Sequence, residues 1–462
     1  MNFLITILAI VVILFFTINP IKIKWLSLNM ATTSVLVIFI LLITKVINLD
    51  IIKHGLIGDG FIEPWKVIVI FFSVAYVSVS TDVTGVFDYL AYQIVRLTRG
   101  SGLKLFFAFY CFAGLLSVFT SNDIVILTLT PIIFYLGKHA KINIIPLLFA
   151  EFFAANTFSM LLYIDNPTNI ILVNSMGIGF LEYLSVMWLP TTIAIITTFI
   201  LLRLVFRKSI TKTYKLNPNS KFSVRSGVDV IISSALMLLM FVFLVLSEKL
   251  ALPIWKITLL FAILFIIEDL LFSIYYYIKS HKLSAPQLEK RKVVLGIPED
   301  KNEFWLAIKR VPWKILPFVA TFFILVYFLN QIGIINAISE LMFIERNSLL
   351  ASIGISGIAS FITANIINNQ PMAILFTHIF ASGKMVLDSQ NLLGGVYATI
   401  IASNLAANFT IVGALAGLMW KKILRTKDVR ITYLDFLKKG LLITPLVFII
   451  TLLTLYFTLH LL

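Results

Sequence analysis

Long apolar stretches separated by short polar ones set the pattern of this chain. Predominantly hydrophobic runs occupy 3–19, 29–48, 66–80, 102–120, 142–163, 179–206, 228–247, 253–278, 315–335, 346–367, 392–420 and 432–460. A helix needs about 20 such residues to cross a bilayer. In lipid every backbone N–H and C=O must find a partner within its own segment, which favours helices over open strands. The period-two alternation of a membrane barrel is absent. The pattern therefore predicts an all-α, multi-pass protein of the inner membrane.

Polar residues interrupt these runs at four places. Thr120-Ser121-Asn122-Asp123 and Asn368-Asn369-Gln370-Pro371 each sit between apolar flanks without the charges of a surface loop. Ser121, Asn122 or Asn368 can cap a helix starting there, and Pro371 falls in a first turn, where a missing N–H costs nothing. Both read as tips of short re-entrant hairpins. Glu151, Asn156, Thr157 and Ser159 lead into Asp165-Asn166-Pro167-Thr168-Asn169 before the apolar run resumes. The residue before a proline avoids the helical region, so a helix is expected to end near Asn166 and restart at Pro167. Ser403-Asn404, Asn408-Phe409-Thr410 and Gly413 form a similar interruption without a proline. Unwound backbone is tolerated at membrane depth only where it lines a cavity or is covered by protein.

The interruptions repeat. Asn122 and Asn369 lie 247 residues apart, and Ala154-Ala155-Asn156 recurs 252 residues later as Ala406-Ala407-Asn408. Two transporter halves fit that offset. The expected organisation is 1–210 with the first hairpin and broken helix, 211–314 with central spans and a basic loop, and 315–462 with the second hairpin and broken helix.

Composition sharpens the membrane reading. Apolar residues make up 60% of the chain, charged ones 13%, and the mean hydropathy is +1.01; a soluble domain carries roughly a quarter charged residues. The net charge of +15 could suggest nucleic acid, but 21 of the 37 Lys and Arg lie within 203–225, 279–314 and 421–430. These short stretches beside apolar spans follow the positive-inside rule, which places them in the cytoplasm and removes the nucleic-acid reading. The first run has only Met1 and Asn2 before it and no cleavage site, and is read as a retained helix. Cys111 is the single cysteine, and no two of His54, His139, His281, His378 and His460 stand at metal-ligand spacing. Phosphate-loop, dinucleotide, zinc-hydrolase and nucleophile-elbow motifs are missing. No catalytic residue, metal or cofactor is expected, and no ATP-driven pumping by this chain alone; a separate ATPase subunit stays open.

The four clusters together resemble the arsenite permease family of the ion transporter superfamily. The likeness is clearest in Ser121–Pro131, Phe153–Asn169, Gly177–Tyr183, Asn368–Pro371 and Ser403–Trp420. It implies two inverted repeats, a scaffold that forms a homodimer, and a moving part whose hairpin tips and helix breaks surround the solute. The implied site is Ser121, Asn122, Asp123, Asp165, Asn166, Thr168, Asn169, Asn368, Asn369, Asn408 and Thr410. The chain departs from the family's pattern: Asn156 and Asn404 stand where it usually has Asp, Asn408 lies where it has a nearby Lys, Ile411 replaces a Pro beside Thr410, and Asp165 replaces a Ser. The expected function is secondary transport of arsenite or antimonite, driven by protons. A sodium-coupled antiporter, or a symporter of organic or divalent anions, is the alternative. Asp123 leads the candidates for proton carriage, ahead of Asp165 and Glu151, and His378 is expected to be packed and neutral.

Overall fold

The computed structural model describes residues 2–23, 26–58, 62–140, 142–214, 227–280, 303–343, 348–383, 388–427 and 429–461. The expected basic segments 215–225 and 281–302 lie outside them, as does His281; the side chain of His139 is likewise not described.

The described residues are mostly helical. The helices are α1 Asn2–Ile18, α2 Met30–Ile43, α3 Leu49–Ile57, α4 Pro64–Val83, α5 Val86–Leu97, α6 Gly102–Phe119 and α7 Asn122–Ala140. There follow α8 Ile144–Phe158, α9 Pro167–Met176, α10 Phe180–Phe206, α11 Gly227–Val245, α12 Ile254–Ser280 and α13 Glu303–Arg310. The last are α14 Ile315–Gln331, α15 Ile334–Phe343, α16 Leu349–Ile367, α17 Asn369–Gly383, α18 Ser389–Phe409, α19 Leu415–Thr426 and α20 Tyr433–Leu461. Among the described residues nine helices are long and apolar enough to cross a membrane, so the protein is a multi-pass membrane protein. A short antiparallel ribbon, Ile21–Ile23 with Leu26–Leu28, was not anticipated.

The series α4 to α10 and the series α14 to α20 follow the same plan. A long helix ends at a glycine with positive φ, Gly85 (φ 81°) or Gly333 (φ 80°), and a short amphipathic helix, α5 or α15, follows. Glycine alone adopts that left-handed turn without strain. Next come a helix pair, α6–α7 or α16–α17, a broken helix, α8/α9 or α18/α19, and a long closing helix, α10 or α20.

Hydrogen bonds and basic ends fix the orientation of the two series. Gly102 at the start of α6 donates to the Lys212 carbonyl, and Asn143 just before α8 bonds Ser209 and Thr211. The first helix pair thus enters and leaves on the side of the basic segment that follows α10. In the second series Ser352 bonds the Asn391 carbonyl, and Gln390 at the start of α18 bonds the Leu459 carbonyl near the far end of α20. Helices α10 and α20 pack together, with Lys439 from the start of α20 lying over the ring of Phe206 at the end of α10. They are therefore antiparallel with their basic ends adjacent. The positive-inside rule puts those ends in the cytoplasm. The first hairpin enters from the cytoplasmic face and the second from the opposite face, so the two series are inverted.

One sequence expectation needs correction. The first broken helix stops at Phe158, well before Asn166, although it restarts at Pro167 as expected. The backbone freed in between finds partners far along the chain: Asn169 Nδ2 donates to the Ser159 carbonyl and the Tyr183 hydroxyl to that of Met160. The interruption expected across 403–413 falls at Thr410–Ala414, with Ser403 and Asn404 still within α18.

Candidate functional site

Four helix beginnings meet where the two series touch. Helix α7 packs against α19 and α17 against α9, so each hairpin lies on the half-helix that follows the break of the other series. The ten residues of α9 lead from the first break to the outer face, about 15 Å at 1.5 Å per residue. The first hairpin tip bonds the end of α8 at this level, and therefore stops inside the membrane. Each helix beginning presents unpaired N–H groups and the positive end of a dipole.

A network of amides and hydroxyls joins the breaks. Asn122 Nδ2 donates to Asn156 Oδ1 at 3.0 Å, and Asn156 Nδ2 donates to Asn408 Oδ1 at 3.2 Å and to the Phe152 carbonyl. Asn408 Nδ2 donates to Thr157 Oγ1 at 3.1 Å. Asn404 accepts from Ser159 Oγ at 2.7 Å and from Asn166 Nδ2 at 2.6 Å, and donates to Asn169 Oδ1 at 2.8 Å. Ser403 Oγ donates to Thr168 Oγ1 at 2.7 Å, while Asn166 Oδ1 takes the N–H of Thr168 and caps α9. Asn156, Thr157, Ser159, Thr168, Asn169, Ser403 and Asn404 are wholly buried. Buried amides are tolerated because each finds partners here.

The second tip is held differently. Asn368 takes a φ of 77°, rare for a residue with a side chain. Its Nδ2 donates to the Val412 carbonyl at 3.0 Å. Thr410 donates to Asn365 Oδ1 at 2.6 Å and accepts the N–H of Gly413.

The structure thus brings Asn122, Asn166, Thr168, Asn169 and Asn408 into one network and places Asn368 and Thr410 beside the second break. Ser121, Asp123 and Asn369 are buried at the tips, with no side-chain hydrogen bond to the rest of the described residues. Asp165 lies in the first unwound segment, outside the network. Asn156, Asn404, Ser159 and Ser403 are its hubs but were absent from the expected site. The departure of Asn156 and Asn404 from the family's usual Asp was the signal available for them.

Several carboxylates lie elsewhere. Glu151 is fully buried and accepts from Thr130 Oγ1 of α7 at 2.9 Å. Asp82 accepts from Thr128 of α7 and from Arg310 of α13. Tyr76 donates to Asp269, and Ser233 to Glu268. His378 is buried in α17 beside His54 and Tyr327, and takes part in an interaction there. Among the described residues no group of three His, Cys, Asp or Glu could hold a metal ion.

Comparison with known proteins places the chain in a family. The profile of the citrate transporter family, CitMHS, matches residues 10–392, and the chain belongs to that family. It is 25% identical over 402 residues to an arsenical pump membrane protein of Escherichia coli, covering 84% of this chain and 85% of that one. It is 27% identical over 395 residues to a putative arsenical pump membrane protein of Bacillus subtilis (strain 168), covering 82% and 84%. A 46 kDa membrane protein of Mycobacterium leprae (strain TN) is 24% identical over 386 residues, covering 82% and 83%. The chain is a membrane transport protein.

Proposed function

We propose that this member of the citrate transporter family is a secondary exporter of arsenite or antimonite, driven by the proton gradient. The observation that carries the reading is the network centred on Asn156 and Asn404, built from amides and hydroxyls alone. Near neutral pH arsenite is largely an uncharged triol. Each of its hydroxyls both donates and accepts, and so does each amide. A solute entering here exchanges amide–amide bonds for amide–hydroxyl bonds. The net gain per bond is then about 0.5–1.5 kcal/mol, modest enough for the solute to leave on the other face. The names of the Escherichia coli and Bacillus subtilis relatives support the same solute class.

The family's description favours a second reading, a carrier of citrate-like anions. A multiply charged carboxylate calls for Arg or Lys partners. The residues of the network include none, and that weighs for the neutral solute.

The test is transport in everted membrane vesicles. The reading expects accumulation of arsenite when the vesicle interior is acid, collapse with a protonophore, and restored arsenite resistance in an export-deficient host. Citrate accumulation driven by sodium, with no arsenite movement, would replace it with the anion reading.

A further inference from the structure

Among the buried carboxylates Asp165 is placed unlike the others. It ends the turn Tyr163–Asp165 within the first unwound segment and is 1% exposed. Neither carboxyl oxygen has a hydrogen-bond partner among the described residues. Glu151, by contrast, is tied to Thr130 and Asp269 to Tyr76, while Glu268 bonds Ser233 and shares a hydrogen bond with Asp229. Asp123 sits at the hairpin tip and keeps 5% exposure. An ionised carboxylate without donors or a cation is far more costly in an apolar interior than the neutral acid. The geometry therefore calls for a proton on Asp165 in this conformation.

The surroundings give that proton a direction. Tyr163, in the same turn as Asp165, meets Tyr183 of α10, which in turn meets Tyr397 of α18. Ring centroids are 5.4 Å apart for Tyr163 and Tyr183 and 5.9 Å for Tyr183 and Tyr397. The Tyr397 hydroxyl is buried without a hydrogen-bond partner. Tyr183 adjoins Glu182 in the first turn of α10, where Glu248 also lies. Both glutamates are exposed at the outer end of α10, where Glu248 accepts the Leu181 N–H and Glu182 that of Gly179.

Other titratable groups on the packed elements have partners of their own. On α4, Lys66 pairs with Glu63, Tyr76 with Asp269 and Asp82 with Arg310. On α6, Tyr110 bonds the Ile195 carbonyl; Lys104 stands in the first turn, at the cytoplasmic end, and Cys111 is half-buried. Helix α9 carries no titratable group, α18 only Tyr397, and α10 besides Glu182 and Tyr183 only Arg203 in its last turn.

We propose, resting on the proton-coupled reading above, that Asp165 holds the transported proton and exchanges it with the outer face past Tyr183, Tyr163 and Tyr397. The group lies between two half-helices, where a rearrangement of the break changes its surroundings and so its hold on the proton. An exporter driven by proton entry loads protons from outside, and the tyrosines lie on that side.

Infrared spectroscopy of the purified protein in oriented vesicles tests this without any solute. A protonated-carboxyl band should be lost on the difference spectrum between the native protein and Asp165→Asn. An alkaline jump on the outer face should erode it, while the same jump on the cytoplasmic face should not within that interval. Asp165→Glu should restore the band, and should restore pH-driven transport that Asp165→Asn lowers at least tenfold. An unchanged band in a monodisperse Asp165→Asn protein overturns the proposal. So does a first response from the cytoplasmic side, or loss of the band on adding sodium at fixed pH. Failure of arsenite transport would leave the infrared result standing, so the two readings fail separately.

Discussion

The two helix breaks occupy equivalent places in inverted repeats, yet they are held open by different means. The first, Ser159–Asn166, is spanned by side chains: Asn169, Tyr183 and the Asn166 cap take up its freed backbone groups. The second, Thr410–Ala414, is shorter: Asn368 and Thr410 take up the Val412 carbonyl and the Gly413 N–H, and glycines press it close to the neighbouring backbone. A Cβ at Gly413 would strike the Ala406 carbonyl, one at Gly417 the Ile411 carbonyl, and one at Gly440 the carbonyls of Phe409 and Asn408. Only the first break contains a carboxylate. The same geometry, a half-helix aimed at the middle of the membrane, can thus be met by polar side chains alone or by polar side chains together with close backbone packing. The polar solution leaves room for a titratable group.

Substitutions separate the two solutions. The largest effect is expected for Asn404→Leu, which takes a partner from Ser159 and Asn169 and orphans Asn166 Nδ2. At about 1–3 kcal/mol per orphaned buried group, transport should fall more than tenfold at equal expression, and denaturation should come earlier. Native transport would mean that the network only ties helices together. Gly417→Ala should follow, with overpacking of about 1–3 kcal/mol, and should show as a lowered Tm. A normal Tm would break the contrast between the breaks, since it would mean that the second one yields easily. Tyr183→Phe, which removes the one donor to the Met160 carbonyl, should cost about 1 kcal/mol. Pro167→Ala should cost least, about 0.4–1 kcal/mol through the freer unfolded chain. A Pro167→Ala loss above that of Asn404→Leu would show that rigidity rather than side-chain bonding sets the first break.

Local signals made part of this readable from sequence. The tips at Asn122 and Asn369, the restart at Pro167 and the two-half organisation follow from caps, a proline and an offset near 250 residues, while the inversion was implied by the family resemblance. The end of α8 at Phe158 was hidden, because the groups that satisfy Met160 and Ser159 come from Tyr183 and Asn169. Asn156 and Asn404 stood out as departures from the family's pattern, but the partners that make them hubs meet only across the two repeats. The second break lacks a proline, and its glycines reveal themselves only through what a Cβ would strike. Asp269 and Glu268 lie within one long apolar run, where nothing in the surrounding pattern announces Tyr76 or Ser233 as partners.

The central claim is that a single solute site depends on both breaks. Binding of radiolabelled arsenite to purified native protein, Asn404→Leu and Gly417→Ala tests it most directly. The account predicts saturable binding by the native protein and at least tenfold weaker binding by each variant, although one disturbs the polar network and the other the packed break. Undiminished binding by either well-folded variant, or no saturable binding by the native protein, would contradict it.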